Sequence, residues 1–324
     1  MINRRTFLCG LTLGTLSAPL VAEAQEAGKA WRIGTLDMAD SRGWAGFRDG
    51  LRNLGLEVGR SVNVEFRWSG SHVERYQEIA AELLRTNVDL LVTGNWESTK
   101  AAKQATSTIP IVMLGVPDPP AAGLVGRPDK PDSNVTGITY APADLTAKSV
   151  ELLRELRPGL GRAALLYEPH VWVSSVRRQR LSLLAARAGI QLLPLIVNNR
   201  DDLDTALAAL MLERPDVVIV DLAGRPSDDA RTVSEFAIKQ GLPTLSESSV
   251  LVDAGVLMSF GPGLFEMGRR AANYVEQIIK GVQLADLPVE QHKEYELVVN
   301  IKTAKALGLT IPQSVLGRAH RVIE

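Results

Sequence analysis

Apolar residues fall along this chain in two alternating rhythms, and the alternation is run through twice. Short apolar runs of strand length begin near Arg32, Val62, Val88 and Pro110, and again near Arg162, Ile190, Asp216 and Leu242. The two sets are offset by 130, 128, 128 and 132 residues. Helical periods lie between the runs. Tyr76, Ile79, Ala80, Leu83 and Leu84 fall at i, i+3, i+4, i+7 and i+8, and Leu203, Ala206, Leu207, Leu210 and Met211 repeat that stripe 127 residues later. One strand–helix design is therefore used twice. The stretch from Asn134 to Leu156 reads as the connector between the copies.

Strand and helix signals take the chain in order. Trp31 to Asp37 is nearly all apolar, as a parallel strand covered on both faces is. Trp44, Phe47, Leu51 and Leu54 follow on a helix stopped by Gly55. Val62 to Trp68 is a second strand, and Ser71 with Glu74 forms a capping box before the next helix. Val88 to Thr93, a helix over Glu97 to Ser107, and a strand over Pro110 to Leu114 complete the first half. In the second half, strands over 162–167, 190–197, 216–221 and 242–245 alternate with helices over 172–188, 199–213 and 227–240. A strand over 256–260, a helix over 265–280 and a strand over 297–301 remain, supplying two further passages, three in all. The expected fold is α/β, two doubly wound parallel-sheet lobes joined by three crossover segments. The expected division is 25–140 plus about 260–288 for one lobe, and 141–259 plus about 289–324 for the other.

In doubly wound sheets ligands sit at the carboxyl ends of the strands, so the loops there hold the candidate residues. They are Asp37, Ser41 and Trp44; Gly94, Asn95, Trp96 and Ser98; Val116; Tyr140; Glu168, His170 and Trp172; Asp221; Glu247; and Phe260, placed at the third crossing. Trp44, Trp96, Tyr140, Trp172 and Phe260 suit the walls of a site for a ring, while Trp44 and Trp172 equally suit packing at helix starts. Gly94 to Thr99 opens a helix whose backbone N–H groups, with the Ser98 and Thr99 hydroxyls, suit a carboxylate; an ordinary cap is the alternative. Asp37, Glu168 and Asp221 stand at strand ends. A carboxylate there pairs with a ligand ammonium, or caps the next helix, or pairs with Arg42 or Arg225. The first reading is preferred for Asp37 and the second kind for Asp221. Asp118, before two prolines, reads as a turn residue.

Composition narrows the function. Charged residues make up 23% and the net charge is −1, with no basic block, which argues against nucleic acid as a partner. The first 24 residues have their own logic: Arg4-Arg5, an apolar run from Phe7 to Val21, and Ala22-Glu23-Ala24 as a processing site. They predict export to the periplasm with cleavage after Ala24, by an ordinary or a twin-arginine signal. Cys9, the one cysteine, lies inside that segment, so the mature chain has no disulfide and no thiol chemistry. The four histidines make no pair at metal spacing, and no phosphate loop or nucleophile elbow is present. No cofactor and no enzymatic activity are expected.

Several stretches together carry a family resemblance: Gly50 to Trp68, Ile109 to Val112, Asp118-Pro119, Asn134 to Gly137, Gly255 to Gly261, Arg269 to Gly281, and Ala285 to Ala319. In their order and spacing the chain resembles the periplasmic substrate-binding proteins of ABC transporters with the type 1 fold, in the group that includes members binding tryptophan and other aromatic amino acids. The resemblance covers essentially all of the chain. It implies a monomer whose lobes close on a small molecule (an amino acid, aromatic acid or related carboxylate) and dock on a membrane permease driven by a cytoplasmic ATPase. It departs from the pattern at Glu168-Pro169, where relatives often show Asn-Pro, and in a shortened 114–130 loop. A ligand-sensing module for a membrane receptor and a cofactor-dependent enzyme are the alternative functions.

Overall fold

A computed structural model describes residues 30–70, 72–168, 172–222 and 227–324 of the chain. The export signal expected over 1–24 and the Ser71 of the expected capping box lie outside the described residues. The first half runs β1 (Trp31–Asp37), α1 (Arg42–Asn53), β2 (Val62–Trp68), α2 (Tyr76–Arg85), β3 (Leu90–Thr93), α3 (Trp96–Ala105), β4 (Ile111–Leu114) and β5 (Val135–Tyr140). The second runs α4 (Pro142–Leu156), β6 (Arg162–Tyr167), α5 (Trp172–Arg187), β7 (Gln191–Ile196), α6 (Arg200–Glu213), β8 (Val217–Asp221), α7 (Ser227–Gln240), β9 (Thr244–Ser246), α8 (Ser249–Asp253) and β10 (Met258–Pro262). The chain ends with α9 (Leu264–Ile279), β11 (Glu290–His292), β12 (Tyr295–Asn300), α10 (Ile301–Ala306), α11 (Gln313–Leu316) and β13 (Arg321–Ile323).

The strands form two sheets with one internal order. The first is β11-β5-β4-β3-β1-β2, the second β13-β12-β10-β9-β8-β6-β7. The described pairs are parallel except β10 with β12. Each sheet is covered on both faces, as near-continuous apolar strands require. One face of the first packs on α1 and α9 through Trp44, Phe47, Leu51, Met267, Ala271 and Val275. The other packs on α2 and α3 through Tyr76, Ile79, Leu83, Ala101 and Ala102. In the second sheet α4 and α5 cover one face and α6 and α7 the other. The amphipathic stripe of α6 ends one residue early: Leu203, Ala206, Leu207 and Leu210 are buried, but Met211 is 55% exposed.

Two expectations change at the crossings. Residues read as the first part of a connector are β5, a full strand paired with β4, so the first passage is only Ala141. Each half thus has five strands in the shared order, not four. The second passage is Gly263, after β10, which puts Phe260 on a strand of the second sheet before that passage and not at the third. The third is Lys293-Glu294, because β11 pairs with β5. Residues 290–292 accordingly belong to the first sheet, a few residues past the expected switch near 289. Polar alternation hid β11: Glu290, Gln291 and His292 carry no strand signature.

The crossings exchange helices. After β5 the chain leaves as α4 and packs on α5; after β10 it returns as α9 and packs on α1. Each lobe is closed by a helix that follows the other lobe's fifth strand.

Candidate functional site

β1 ends in Asp37, and the polar network of the first lobe is built on that carboxylate. Its Oδ1 accepts from the Met38 backbone N–H and from Asn95 Nδ2, both at 2.7 Å. Its Oδ2 accepts from Trp44 Nε1 at 2.7 Å. All three donors are neutral, and no cationic side chain pairs with it among the described residues. Asp37 is half-buried as a residue, and its carboxyl group is the enclosed part. Burial pushes its pKa up to about 6, against the opposing pull of the three hydrogen bonds. Gly94 makes the position possible: a Cβ there would lie 1.8 Å from Asp37 Oδ2.

Asn95 links this carboxylate to the next strand end. Its Oδ1 accepts from the Ser98 N–H at 2.8 Å, and its own N–H donates to Ser98 Oγ at 3.2 Å, a reciprocal cap on α3. Its Nδ2 also donates to Tyr76 Oη at 2.8 Å. Tyr76 is buried, and its phenol is held well above the usual range, first by burial and then by the Asp37 charge. Ser98 Oγ donates to the Asn95 carbonyl at 3.0 Å, and Thr99 Oγ1 bonds to that carbonyl and to Thr93 Oγ1, both at 2.7 Å. Both hydroxyls are thus taken up in closing the helix, so the capping alternative holds for them rather than a carboxylate site.

The aromatic candidates separate. Trp44 is fully buried, its ring edge-on to Phe47, Phe66 and Trp68 at 5.6 to 5.9 Å. It packs at a helix start and reaches the site only through its indole N–H, so it is not a wall of the cleft. Trp96 is half-buried, donates to the Ala122 carbonyl at 3.2 Å, and carries Lys100 Nζ 4.8 Å above its ring. Val116 is fully buried in the same cluster, a core residue and not a lining one. Ser41 precedes α1 without a side-chain cap bond. Tyr140 ends β5, opposite His292 of β11.

On the second sheet, Glu168 and Asp221 are buried at the carboxyl ends of β6 and β8, with Tyr167 in register with Asp221. Glu247 follows β9; its carbonyl would stand 1.8 Å from a Cβ on Gly261. Phe260 packs against the cores of both lobes, its ring 5.7 Å from Tyr295. Its place is the junction between them. His170 lies outside the described residues, and so does the side chain of Trp172, which begins α5.

Three features were not read from the sequence. Tyr76 was assigned to an apolar stripe, although a phenol at its N-terminal end was the signal that a polar partner lay there. Asp118, a turn residue at φ 45° whose Oδ1 accepts from Ala121 N–H, also pairs through Oδ2 with Arg180 of α5 at 3.4 Å. That ion pair joins the two lobes. His292 is the third, buried beside the passages. No group of His, Cys, Asp and Glu among the described residues is arranged to hold a metal. No described helix is long and apolar enough to cross a membrane.

A family model described as ABC transporter substrate binding protein matches residues 38–323. A tyrosine-binding protein of Clostridioides difficile is 26% identical over 265 residues, covering 82% of this chain and 76% of that protein. An ABC domain from Streptococcus pneumonia, solved in complex with L-Trp, superposes with a TM-score of 0.82 at 26% identity, over 91% of this chain and 100% of that one. A leucine binding protein from Thermotoga maritima superposes at 0.61 over 77% of this chain and 84% of that one, with 13% identity, a likeness of fold alone.

Proposed function

The chain belongs to the ABC transporter substrate-binding protein family, and from that premise we propose that it captures an aromatic amino acid between its lobes and delivers it to a membrane permease. The single observation that carries the reading is Asp37. A carboxylate enclosed at a strand end and held by three neutral donors is stabilised as an anion when an ammonium group approaches it. That favours an amine-bearing ligand over a plain aromatic acid. The tryptophan and tyrosine of the two relatives are ligands of this class.

Capture proceeds by closure. Contacts with both lobes favour the closed arrangement, and the three short passages are the places that turn. Moving the balance from 99% open to 99% closed takes about 5.5 kcal/mol of differential binding. One enclosed charge pair and one packed ring supply energy of that order. The Asp118–Arg180 pair adds a smaller contribution, since both side chains are about a third exposed. Export to the periplasm, by the N-terminal signal, places the protein where such capture is needed.

The test is a fluorescence titration with L-tryptophan, L-tyrosine and L-phenylalanine beside their desamino acids. Saturable binding of the amino acids, and at least tenfold weaker binding of the desamino compounds, is expected. No response to any amino acid would end the proposal.

A further inference from the structure

One histidine lies where all three passages converge. His292 is the last residue of β11, stands opposite Tyr140 at the end of β5, and immediately precedes the third passage. From the second passage, a Cβ on Gly263 would come within 3.3 Å of its Nε2. The residue therefore stands beside the end of β5 and its ring beside the second passage, at the start of the third. It is 0% exposed, and neither of its nitrogens makes a well-formed hydrogen bond, the Glu294 backbone carbonyl being the acceptor that bears on the ring. Buried polar side chains in the great majority of proteins have at least one such partner.

Charged groups face the ring from each neighbouring element. Arg270 and Glu266 lie on α9, Glu290 on its own strand, and Lys293, Glu294 and Glu296 just beyond it; the Tyr140 phenol is on β5. Arg270 is engaged with Glu290, and more distantly with Glu294 at 3.7 Å and Glu266 at 3.8 Å.

We propose that His292 makes closure sensitive to acid, its protonation favouring the open arrangement. An imidazolium enclosed at this point is poorly hydrated, and it lies beside a guanidinium. Burial first, and Arg270 second, hold the ring below the ordinary histidine value of 6.5, with the Glu294 charge, the Glu294 backbone carbonyl and Glu266 pulling the other way. Turning at the passages is the movement that lets water reach it. The sign follows from linkage: the enclosed form binds a proton less readily than the hydrated one, so as pH falls below about 6.5 the open form takes up the proton and gains population. Well above that pH neither form is protonated and the difference vanishes. If the two forms differ by one pKa unit, the open-to-closed ratio rises roughly fivefold between pH 7.5 and pH 5.5.

This inference rests on the closure described under the proposed function, but not on what the ligand is. Pulsed electron resonance between spin labels at Arg60→Cys and Lys239→Cys, one in each lobe, reads open and closed populations directly; Cys9 is the only native cysteine. The ligand-free protein and the protein with L-tryptophan are measured at pH 7.5 and 5.5, in the wild type, His292→Gln and Asp37→Asn. In the ligand-free protein the open population is expected to grow on acidification in the wild type and in Asp37→Asn, and to stay fixed in His292→Gln. A ligand-free wild-type distribution that does not move, or a ligand-free His292→Gln variant that moves with it, overturns the proposal. Whether L-tryptophan shifts the distribution at pH 7.5 bears only on the ligand. Should His292→Gln fail to fold, proton NMR of the wild type decides: titration of His292 below 6.5 supports the proposal, and titration at the ordinary value overturns it.

Discussion

The two lobes follow one plan but hold their exchanged helices differently. In the first lobe α9 lies against α1 along a seam of glycines. A Cβ on Gly46 would sit 1.9 Å from the Phe265 carbonyl, one on Gly268 1.9 Å from the Gly43 carbonyl, and one on Gly50 2.7 Å from Ala272 Cβ. In the second lobe α4 meets α5, and neither helix contains a glycine. Their contact is made by side chains such as Leu152, Leu153, Leu181 and Ala185. Backbone against backbone leaves the first pair no room to slide, whereas the side-chain contact of the second can repack. The polar network is also on the rigid side, where Trp44 of α1 ties Asp37 to the helix that α9 grips. Under the proposed function, the comparison puts recognition on the tightly locked lobe, to which closure would bring the other.

The largest effect expected from breaking this contrast is at the seam. Gly46→Ala drives a methyl into the backbone of α9 and should cost about 3 kcal/mol or more, read as a lower midpoint in urea unfolding. Next comes the network. Asp37→Asn removes the charge and should weaken binding of an amine ligand by about 1.5–3 kcal/mol, roughly 10- to 150-fold, by calorimetry. If Glu168→Gln cost as much, recognition would be shared between the lobes and the contrast would fail. The wild type should lose affinity as pH drops through about 6, because Asp37 is then neutralised; above that it is ionised and binding is flat with respect to this group. A smaller loss, about 1 kcal/mol, is expected for Tyr76→Phe, which removes the acceptor from Asn95 Nδ2 and loosens Asp37 at one remove. The smallest is Arg180→Gln. This partly exposed pair should contribute no more than about 1 kcal/mol to ligand affinity, and the difference from wild type should shrink in high salt.

Much of this architecture was legible in the chain because the physics is local. Apolar runs at matching offsets set strand starts at Trp31, Val62, Leu90 and Ile111 and at Arg162, Gln191, Val217 and Thr244, separated by 131, 129, 127 and 133 residues. The candidate site was legible only as a set of strand ends. The strand-end rule singles out Asp37 and Asn95, which the structure joins by a hydrogen bond, because loops at those ends are where a doubly wound sheet presents side chains. A strand-end position does not reveal which way a side chain turns, and Trp44 and Val116 both turn into the core. Tyr76 was hidden by helical periodicity, since its ring is apolar at the body and polar only at the tip. The Asp118–Arg180 pair joins residues 62 positions apart on different lobes, and nothing in the spacing of either announces the other.

The central claim is tested most directly by a thermodynamic cycle on one charge. Calorimetry at pH 7.5 would measure L-tryptophan and its desamino acid against the wild type and Asp37→Asn. The account predicts that the wild type prefers the amine by at least tenfold and that Asp37→Asn abolishes the preference. An equal preference in both proteins would show that the ammonium group is received elsewhere and would contradict it.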